Sequence, residues 1–276
     1  MITGIVSCDP GGAELLSSFV SLNKKKKFIF YLRGQAKYIF SRKNIKFNNS
    51  KNFFFDNVDE VILTSGWSTK FEIKNLIQAK KLKKKTIVLL DHWSNYKERF
   101  LYKKKIYLPD IIWVVDLKAK KKIQEIFPSA KVVLKKNYYF EYLKKIKLKK
   151  SIKKNRILYI CDPKSKKISG YNEKDSFNFF IKNIHKIIKP HNYKLTIRKH
   201  PLQKKIHNFF FKYKNINFSK SRDILEDISK NDIIVGSGSM GLIIATLFKR
   251  KVFSSVPPGA KFLLPSKGIK LIREMN

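Results

Sequence analysis

Short apolar runs alternate with longer, lysine-rich amphipathic stretches along the first half of the chain. The runs of strand length are residues 2–8, 28–32, 60–64, 86–91, 111–115 and 131–134. The helical patterns between them are residues 13–22, 71–82 and 118–126. Continuous apolar runs are typical of strands buried on both faces, and their alternation with helices predicts a parallel sheet.

The same rhythm restarts after residues 142–155, which are dominated by lysine and predict a helix leading into a linker. The later strand-like runs are residues 156–161, 193–197, 215–218, 232–235 and 251–255. The later helical patterns are residues 172–189, 202–213, 222–230 and 240–250. The sequence therefore predicts an α/β protein of two Rossmann-like, doubly wound domains with parallel sheets, at residues 1–150 and 151–276.

The composition is unusual in its charge. The chain has 61 lysines and arginines but only 20 acidic residues, which gives a net charge of +41. Such a field attracts anionic lipid, nucleic acid or phosphorylated ligands. A+T-rich coding would also enrich lysine, and solvated lysines would then need no partner. No apolar run reaches the ~18 residues of a membrane span, so we expect any membrane contact to be peripheral. Cys8 and Cys161 each follow an apolar run and are expected to be buried structural thiols in a reducing cytoplasm.

Ligands of open parallel sheets bind beyond the carboxyl ends of the strands, so the residues after each strand carry the candidate chemistry. Asp9 follows the first strand, and Gly11 and Gly12 open the next helix. Glycines let a ligand approach the backbone, and a helix N-terminus offers free N–H groups to an anion. Asp9 is a candidate general base; the alternative is a tight turn in which Asp9 caps the helix.

Two further strand ends in the first half carry polar and aromatic side chains. Ser68 or Thr69 is a suitable helix N-cap, and Glu72 fits a capping box with them. His92 lies beside Asp91 at the end of another strand, with aromatic neighbours that suit a sugar or a base. His92 is therefore a candidate catalytic residue, although a lone histidine is also a common structural residue.

The second half offers two basic or small-residue turns. Arg198-Lys199-His200-Pro201 follows a strand, and His200 is placed to meet a phosphate. Gly236-Ser237-Gly238-Ser239 opens an apolar helix and suits a phosphate cradle, although a tight turn would have the same residues. The second turn is neither a Walker A loop nor a dinucleotide-binding glycine motif.

The turns at residues 198–201 and 236–239 together resemble the donor-side domain of the GT-B superfamily. They look like the His-Pro and serine-rich elements of bacterial sialyltransferases and polysialyltransferases, capsule glycosyltransferases and CDP-glycerol glycerophosphotransferases. UDP-N-acetylglucosamine 2-epimerases carry a similar Gly-Ser-Gly-Ser turn. Residues 9–11 are similar to the acidic element that supplies the base in the sialyltransferase groups, although here a single acidic residue precedes Gly11 rather than a pair.

The resemblance implies a role for each matching residue. Asp9 would be the general base, His200 the acid or phosphate ligand, and Ser237 and Ser239 the phosphate holders. Residues 1–150 would bind the acceptor and residues 151–276 the donor. The set expected to contact the donor nucleotide-sugar is Gly11, Gly12, Arg198, Lys199, Pro201, Gly236, Ser237, Gly238 and Ser239.

The leading hypothesis is a metal-independent glycosyltransferase of polysaccharide biosynthesis. It predicts a CMP- or UDP-linked sugar donor, a glycan or lipid-linked acceptor, no cofactor and no metal, since no Asp-x-Asp motif is present. It also predicts a cytoplasmic protein held peripherally on the anionic inner face of the membrane. One alternative is a sugar-nucleotide epimerase or hydrolase with acid/base groups drawn from Asp91, His92 and Glu98. The other is a basic nucleic-acid-binding protein, for which no recognition motif is present.

Overall fold

Buried apolar runs form the strands of two parallel sheets, each in its own unit of the chain. The computed structural model describes residues 1–48, 55–66, 69–91, 95–148, 154–163, 166–189, 193–201, 203, 205–264 and 267–276. The chain divides into Met1–Lys145 and Ile146–Asn276. The α/β class with parallel sheets, predicted from the alternation of apolar runs and helices, is confirmed.

The first unit is a six-stranded parallel sheet with helices between the strands. Its strands are β1 (Ile2–Ser7), β2 (Lys27–Leu32), β3 (Glu60–Thr64), β4 (Lys85–Leu89), β5 (Leu101–Tyr102), β6 (Lys105–Ile106), β7 (Ile111–Val114) and β8 (Val132–Leu134). Its helices are α1 (Pro10–Leu22), α2 (Gln35–Arg42), α3 (Phe71–Lys81), α4 (Tyr96–Phe100), α5 (Leu117–Ile126) and α6 (Tyr138–Lys144). The sheet order is β2-β1-β3-β4-β7-β8, while β5 and β6 form a separate antiparallel hairpin.

The second unit repeats this architecture with a different strand order. Its strands are β9 (Arg156–Ile160), β10 (Lys194–Arg198), β11 (Ile216–Phe218), β12 (Ile233–Gly236), β13 (Lys251–Ser254) and β14 (Lys270–Leu271). Its helices are α7 (Lys166–Ser169), α8 (Glu173–Lys182), α9 (Ile224–Lys230) and α10 (Met240–Leu247). All six strands run parallel in the order β11-β10-β9-β12-β13-β14.

Strand order fixes where each unit has a crevice. In the first unit, β1 lies between β2 and β3; in the second, β9 lies between β10 and β12. Crossovers leave such a strand in opposite directions, so a crevice opens beyond its carboxyl end. The residues after β1 and β9 therefore lie at the binding edge of their own sheets.

Aliphatic and aromatic side chains fill both cores. Every residue of β3 is buried, including Glu60, whose carboxylate accepts a hydrogen bond from Thr3 and pairs with Lys85. In the second unit, Tyr159 packs among phenylalanines, with Phe177 and Phe180 at ring-centroid distances of 4.9 and 5.6 Å. These contacts hold the sheets on which the candidate site residues are mounted.

Two predicted helices and the predicted burial of one cysteine are corrected by the structure. The predicted helix over residues 202–213 is, within the described residues 205–213, a 3₁₀ helix at Asn208–Lys212, because the aromatic run there buries only Phe210 fully. The predicted helix over 142–155 is α6, which begins earlier, at the side-chain cap of Asn137 on the Phe140 N–H, and ends at Lys144. Cys8 is half-buried rather than fully buried, whereas Cys161 is buried.

Among the residues that the structure describes, no helix combines the length and the apolar character that a membrane span needs.

Candidate functional site

Asp9 lies at the carboxyl end of β1, in the N-cap position of α1. Pro10 occupies the first turn of that helix, where a missing N–H is tolerated. The Asp9 side chain makes no capping hydrogen bond to the helix backbone. The Asp9 side chain is therefore not a helix cap, and its carboxylate remains available for other chemistry.

The loop that carries Asp9 is held by the buried carboxylate of Glu72, in the first turn of α3. One oxygen of Glu72 accepts hydrogen bonds from the backbone N–H groups of Cys8, at 2.9 Å, and Asp9, at 3.2 Å, and from the Thr64 hydroxyl. The other accepts from the Thr69 hydroxyl at 3.1 Å. The predicted capping box is wrong, because the N-cap of α3 is Lys70 rather than Thr69 and makes no side-chain cap, while Ser68 lies outside the described residues. Glu72 instead ties β1 to β3 and α3.

A buried ion pair lies beside Asp9. The Arg99 guanidinium, in α4, donates to the Asp91 carboxylate at 2.9 Å and to the hydroxyl and carbonyl oxygens of Ser65. Gly11 makes room for this pair, because a Cβ at that position would lie 2.1 Å from Asp91 Oδ2. The sequence placed Gly11 at a ligand phosphate; the structure gives it close contact with a carboxylate.

Gly12 likewise faces protein atoms. A Cβ on Gly12 would lie 2.5 Å from the buried Thr64 side chain. A methyl group at either glycine would therefore displace neighbouring side chains, so both glycines have a packing role that sequence reasoning had not assigned to them.

Burial and two neighbouring carboxylates raise the pKa of Asp9 to about 7. Burial contributes most, followed by the negative charges of Asp91 and Glu72, while the positive charge of Arg99 acts in the opposite direction. A carboxyl group that titrates near neutral pH can accept a proton and release it again under cellular conditions. Among the side chains that the structure describes at this edge, Asp9 is thus the one with the strongest claim to acid/base chemistry.

Asp91→Asn should lower the pKa of Asp9, because it removes the carboxylate that raises this pKa more than Glu72 does and frees Arg99 to attract the Asp9 carboxylate. The acid-side limb of any pH–activity profile would move to lower pH in this variant. Carboxyl-carbon NMR titration of Asp9 measures the same shift without an activity assay. A titration midpoint that stayed near pH 7 would contradict the assigned coupling between the two carboxylates.

In the second unit, Glu173 plays a role parallel to that of Glu72. This buried carboxylate, at the start of α8, accepts the backbone N–H of Asp162 at 2.8 Å and the side-chain amide of Gln203 at 2.7 Å. Gln203 in turn accepts the backbone N–H of His200 at 2.7 Å. The loops after β9 and β10 are therefore fixed to one another through a single carboxylate, and His200 lies on the fixed segment.

The other residues of the 198–201 turn have different surroundings. Arg198 is buried in β10, where its guanidinium pairs with Asp227 and donates to the carbonyls of Ser221 and Arg222. Arg198 was predicted to contact the nucleotide. Its guanidinium instead binds these three protein groups, which gives it a structural role. Lys199 and Pro201 are exposed next to His200.

The serine-rich turn combines structural and open positions. A Cβ on Gly236 would lie 2.8 Å from the Ile160 carbonyl, so close strand packing requires glycine there. Ser237 is buried, and its hydroxyl donates to Asp162 at 3.3 Å. Ser239 is the N-cap of α10 and accepts the Gly241 N–H at 3.2 Å. Gly238 and Ser239, both partly buried at the helix N-terminus, are the positions of this turn best placed to meet an anion.

Sequence reasoning missed three residues that organise these edges: Arg99, Glu173 and the long-range role of Glu72. A signal for two of them was present, since Cys-Asp-Pro occurs after the first strand of both halves, at residues 8–10 and 161–163. In each unit, a glutamate in the first turn of a later helix accepts backbone N–H groups of this tripeptide: those of Cys8 and Asp9 in the first unit and that of Asp162 in the second. The predicted catalytic His92 lies outside the described residues.

Comparisons with known proteins identify the fold. No family model matches the sequence, and no curated protein matches it. Solved structures do match. A UDP-N-acetylglucosamine 2-epimerase from Rickettsia bellii is 13% identical, with a TM-score of 0.58 over 94% of this chain and 79% of that one. Anabaena Alr3699/HepE, solved in complex with UDP-glucose, is 12% identical, with a TM-score of 0.60 over 91% and 80% of the two chains.

A third structure extends the match to the full length of this chain. The glycotransferase of kitacinnamycin is 10% identical, with a TM-score of 0.53 over 99% of this chain and 87% of that one. The chain therefore has the GT-B-type fold of two Rossmann-like units that the two turns of the second half had suggested.

Proposed function

We propose that this protein is a glycosyltransferase that moves a sugar from a nucleotide-sugar to a hydroxyl of a glycan or lipid-linked acceptor. The observation that carries the proposal is the Asp9 carboxyl group, which titrates at about pH 7 at the binding edge of the first sheet. A base with this pKa is deprotonated in half of the molecules at neutral pH. The GT-B-type fold is shared with a UDP-N-acetylglucosamine 2-epimerase and with a protein solved in complex with UDP-glucose, which supports the choice of donor.

The proposed reaction assigns a separate task to each unit. In the first unit, the Asp9 carboxylate takes the proton of the acceptor hydroxyl, and the acceptor oxygen forms a bond to the anomeric carbon of the donor sugar. The bond from that carbon to the phosphate oxygen breaks, and the nucleotide leaves with the electron pair. In the second unit, His200 and the N-terminus of α10 at Gly238 and Ser239 hold the departing phosphate. Such groups act where negative charge develops.

The proposal includes a mechanism without a bound metal, in which His200 and helix N–H groups stabilise the leaving group. It also includes a role in surface-polysaccharide synthesis at the inner face of the cytoplasmic membrane. The net charge of +41 supports attraction to a phosphorylated donor and to an anionic surface. A UDP-linked donor is the first to test, because the Anabaena structure was solved with UDP-glucose.

The nucleotide is identified by thermal shift against CMP, CDP, UDP and GDP, each with magnesium and with a chelator. A ligand that binds only the folded state raises the melting temperature, and a concentration of 100 Kd stabilises by about 2.7 kcal/mol. We expect one nucleotide to stabilise the protein equally with and without magnesium. His200→Ala should remove this shift, whereas Asp9→Asn should keep it, since Asp9 is proposed to act on the acceptor. No shift at millimolar nucleotide would contradict the proposal.

An epimerase that acts on the same class of donor is the second candidate. It is favoured by two carboxyl groups, Asp9 and Asp91, at one sheet edge, which could serve as an acid/base pair, and by the match to the Rickettsia protein. The two candidates are separated by incubation with UDP-N-acetylglucosamine in the absence of any acceptor. An epimer or free sugar that forms as fast without an acceptor as with one would favour the epimerase. Consumption of the donor only when an acceptor is added would favour transfer.

A further inference from the structure

A short hairpin, Leu101–Ile106, lies between α4 and β7 in the first unit and has no part in the proposed chemistry. It consists of β5 and β6 and follows α4 without a linker. Its base is held by the Tyr107 N–H, which donates to the Phe100 carbonyl at 2.9 Å, and by the Lys70 ammonium, which reaches the Leu101 carbonyl at 3.5 Å. The hairpin is therefore a fixed part of the unit rather than a loose extension.

Apolar and basic side chains are combined in this hairpin. Leu101 and Ile106 are paired across the two strands and are 38% and 39% exposed. Lys103, Lys104 and Lys105 follow each other at the tip and are all exposed. Single exposed apolar residues are common on protein surfaces. Here two of them are paired across a hairpin and lie next to three adjacent cations.

The backbone at the tip is strained at two consecutive lysines. Lys103 and Lys104 have φ angles of 47° and 63°, and within the described residues they are the only two consecutive non-glycine residues with positive φ. Two-residue hairpin turns of this kind favour Asn-Gly, because side chains such as that of lysine crowd the backbone in the left-handed region. Asparagine is abundant in this chain and would suit the turn better. Asparagine would relieve this backbone strain, so the presence of lysine at both positions points to a role for the two side chains.

The position of the hairpin connects it to the candidate site of the same unit. The residue two before Leu101 is Arg99, which binds Asp91 and Ser65 at the carboxyl edge of the sheet. Lys70, which contacts the hairpin, immediately precedes α3, the helix that carries Glu72. A partner that held the hairpin would therefore lie beside the edge at which Asp9 is mounted.

We propose that this hairpin docks the first unit on an anionic lipid surface. Leu101 and Ile106 enter the boundary between headgroups and acyl chains, while Lys103, Lys104 and Lys105 contact lipid phosphates. Basic residues near an anionic membrane each strengthen binding by roughly fivefold, and adjacent apolar side chains add to this. The inference rests on the proposed function only for its biological purpose, which is to bring Asp9 close to a lipid-linked acceptor.

The test is flotation with vesicles of phosphatidylglycerol and phosphatidylcholine, compared with phosphatidylcholine alone, at about 0.1 M salt, where exposed charges more than ~10 Å apart are screened. The double variant Lys103→Asn, Lys104→Gly removes two tip charges and relieves the turn, so it should fold at least as well as the parent. We expect its partition onto anionic vesicles to fall by roughly twenty-fivefold, which is fivefold for each lysine. Leu101→Ser with Ile106→Ser should weaken binding further without a change in charge.

A matched control is available at the opposite edge of the same sheet. Lys24 and Lys25 are exposed in the turn between α1 and β2. Lys24→Asn with Lys25→Gly makes the same substitutions and the same charge change, and should lower vesicle binding by less than about threefold. Equal losses at the two places would show general charge attraction and overturn the assignment of the hairpin. Failure of the parent protein to bind anionic vesicles would overturn it too.

Two further measurements distinguish lipid docking from nucleic-acid binding and from sugar transfer. The lipid proposal would be overturned if the parent bound single-stranded RNA but not vesicles, and if the variant at Lys103 and Lys104 lost that RNA binding. The hairpin would then be assigned to nucleic acid. The nucleotide-induced thermal shift should be the same in this variant as in the parent. If the parent protein binds anionic vesicles but binds no nucleotide, the docking proposal stands and the glycosyltransferase proposal fails.

Discussion

Asp9→Asn is expected to reduce sugar transfer by about 10²–10⁴-fold and, at the same time, to stabilise the folded protein above pH 7. The loss of activity follows from the removal of the proposed base, since general base catalysis contributes about this factor. The gain in stability follows from the environment of the carboxylate. Burial, Asp91 and Glu72 all disfavour its charged form, and raise its pKa to about 7.

The sign of the stability change depends on pH. The ordinary pKa of the side chain is 3.8, so between about pH 4 and pH 7 the folded protein holds a proton that the unfolded chain has released. The free energy of unfolding therefore falls as the pH rises through this window, and remains low above it. Asparagine has no proton to lose. The variant should match the parent at pH 4 and exceed it at pH 8 by on the order of 3 kcal/mol.

Urea unfolding at pH 4, 6 and 8 measures this difference. Asp110→Asn is a control of opposite sign in the same unit. Burial raises the pKa of Asp110, but hydrogen bonds from the Thr86 N–H and hydroxyl, together with Lys80, lower it further than burial raises it. That variant should lose stability above about pH 4. An Asp9→Asn protein less stable than the parent at pH 8 would show that the Asp9 carboxylate is not held in an unfavourable environment.

Arg99→Met should lower the free energy of unfolding by about 3–5 kcal/mol at neutral pH. The Arg99 side chain is 4% exposed, and its substitution leaves the Asp91 carboxylate and the Ser65 carbonyl without their donor. Removing one partner of a buried ion pair leaves the other charge uncompensated, which explains the size of the loss. Transfer activity should fall as well, because the freed Asp91 lies beside Asp9.

A double-mutant cycle tests this account. Arg99→Met combined with Asp91→Asn should recover much of the lost stability, since the uncompensated charge is then removed as well. Chemical denaturation of the four proteins provides the coupling free energy. Additive losses in the double variant would mean that Arg99 acts mainly through Ser65 and its own packing, and that the pair with Asp91 contributes little.

Periodicity was sufficient for most of the fold because the central strands of both sheets are buried on both faces. The predicted run at residues 60–64 coincides with β3, and the run at 111–115 differs from β7 by one residue. Short elements were missed. Helix α2 has the apolar spacing of Ala36, Ile39 and Phe40, but it is only eight residues long. The hairpin of β5 and β6 has two residues in each strand, too few for any alternation to be visible.

The candidate site shows a different limit of sequence reasoning. Strand ends identify which residues reach the binding edge, so Asp9, His200 and Ser239 could be named in advance. Nothing in the local sequence indicates that Arg198 pairs with Asp227, 29 residues away, or that Glu72 reaches back 64 residues to Cys8. Partners of buried charges are set by which elements pack together, and their identity requires the assembled sheet.

The two Cys-Asp-Pro corners differ in the chain length that each must close. In the first unit, the glutamate bonded to Cys8 lies 64 residues further along, so this bond forms only after β1, β3 and α3 have come together. In the second unit, Glu173 is 11 residues from Asp162, and its loop can close while the rest of the sheet is still absent. Short loops close at a smaller entropic cost. The later half of the chain can therefore order its corner early in folding, while the first half must await long-range assembly, and the two corners would gain protection from hydrogen exchange at different times.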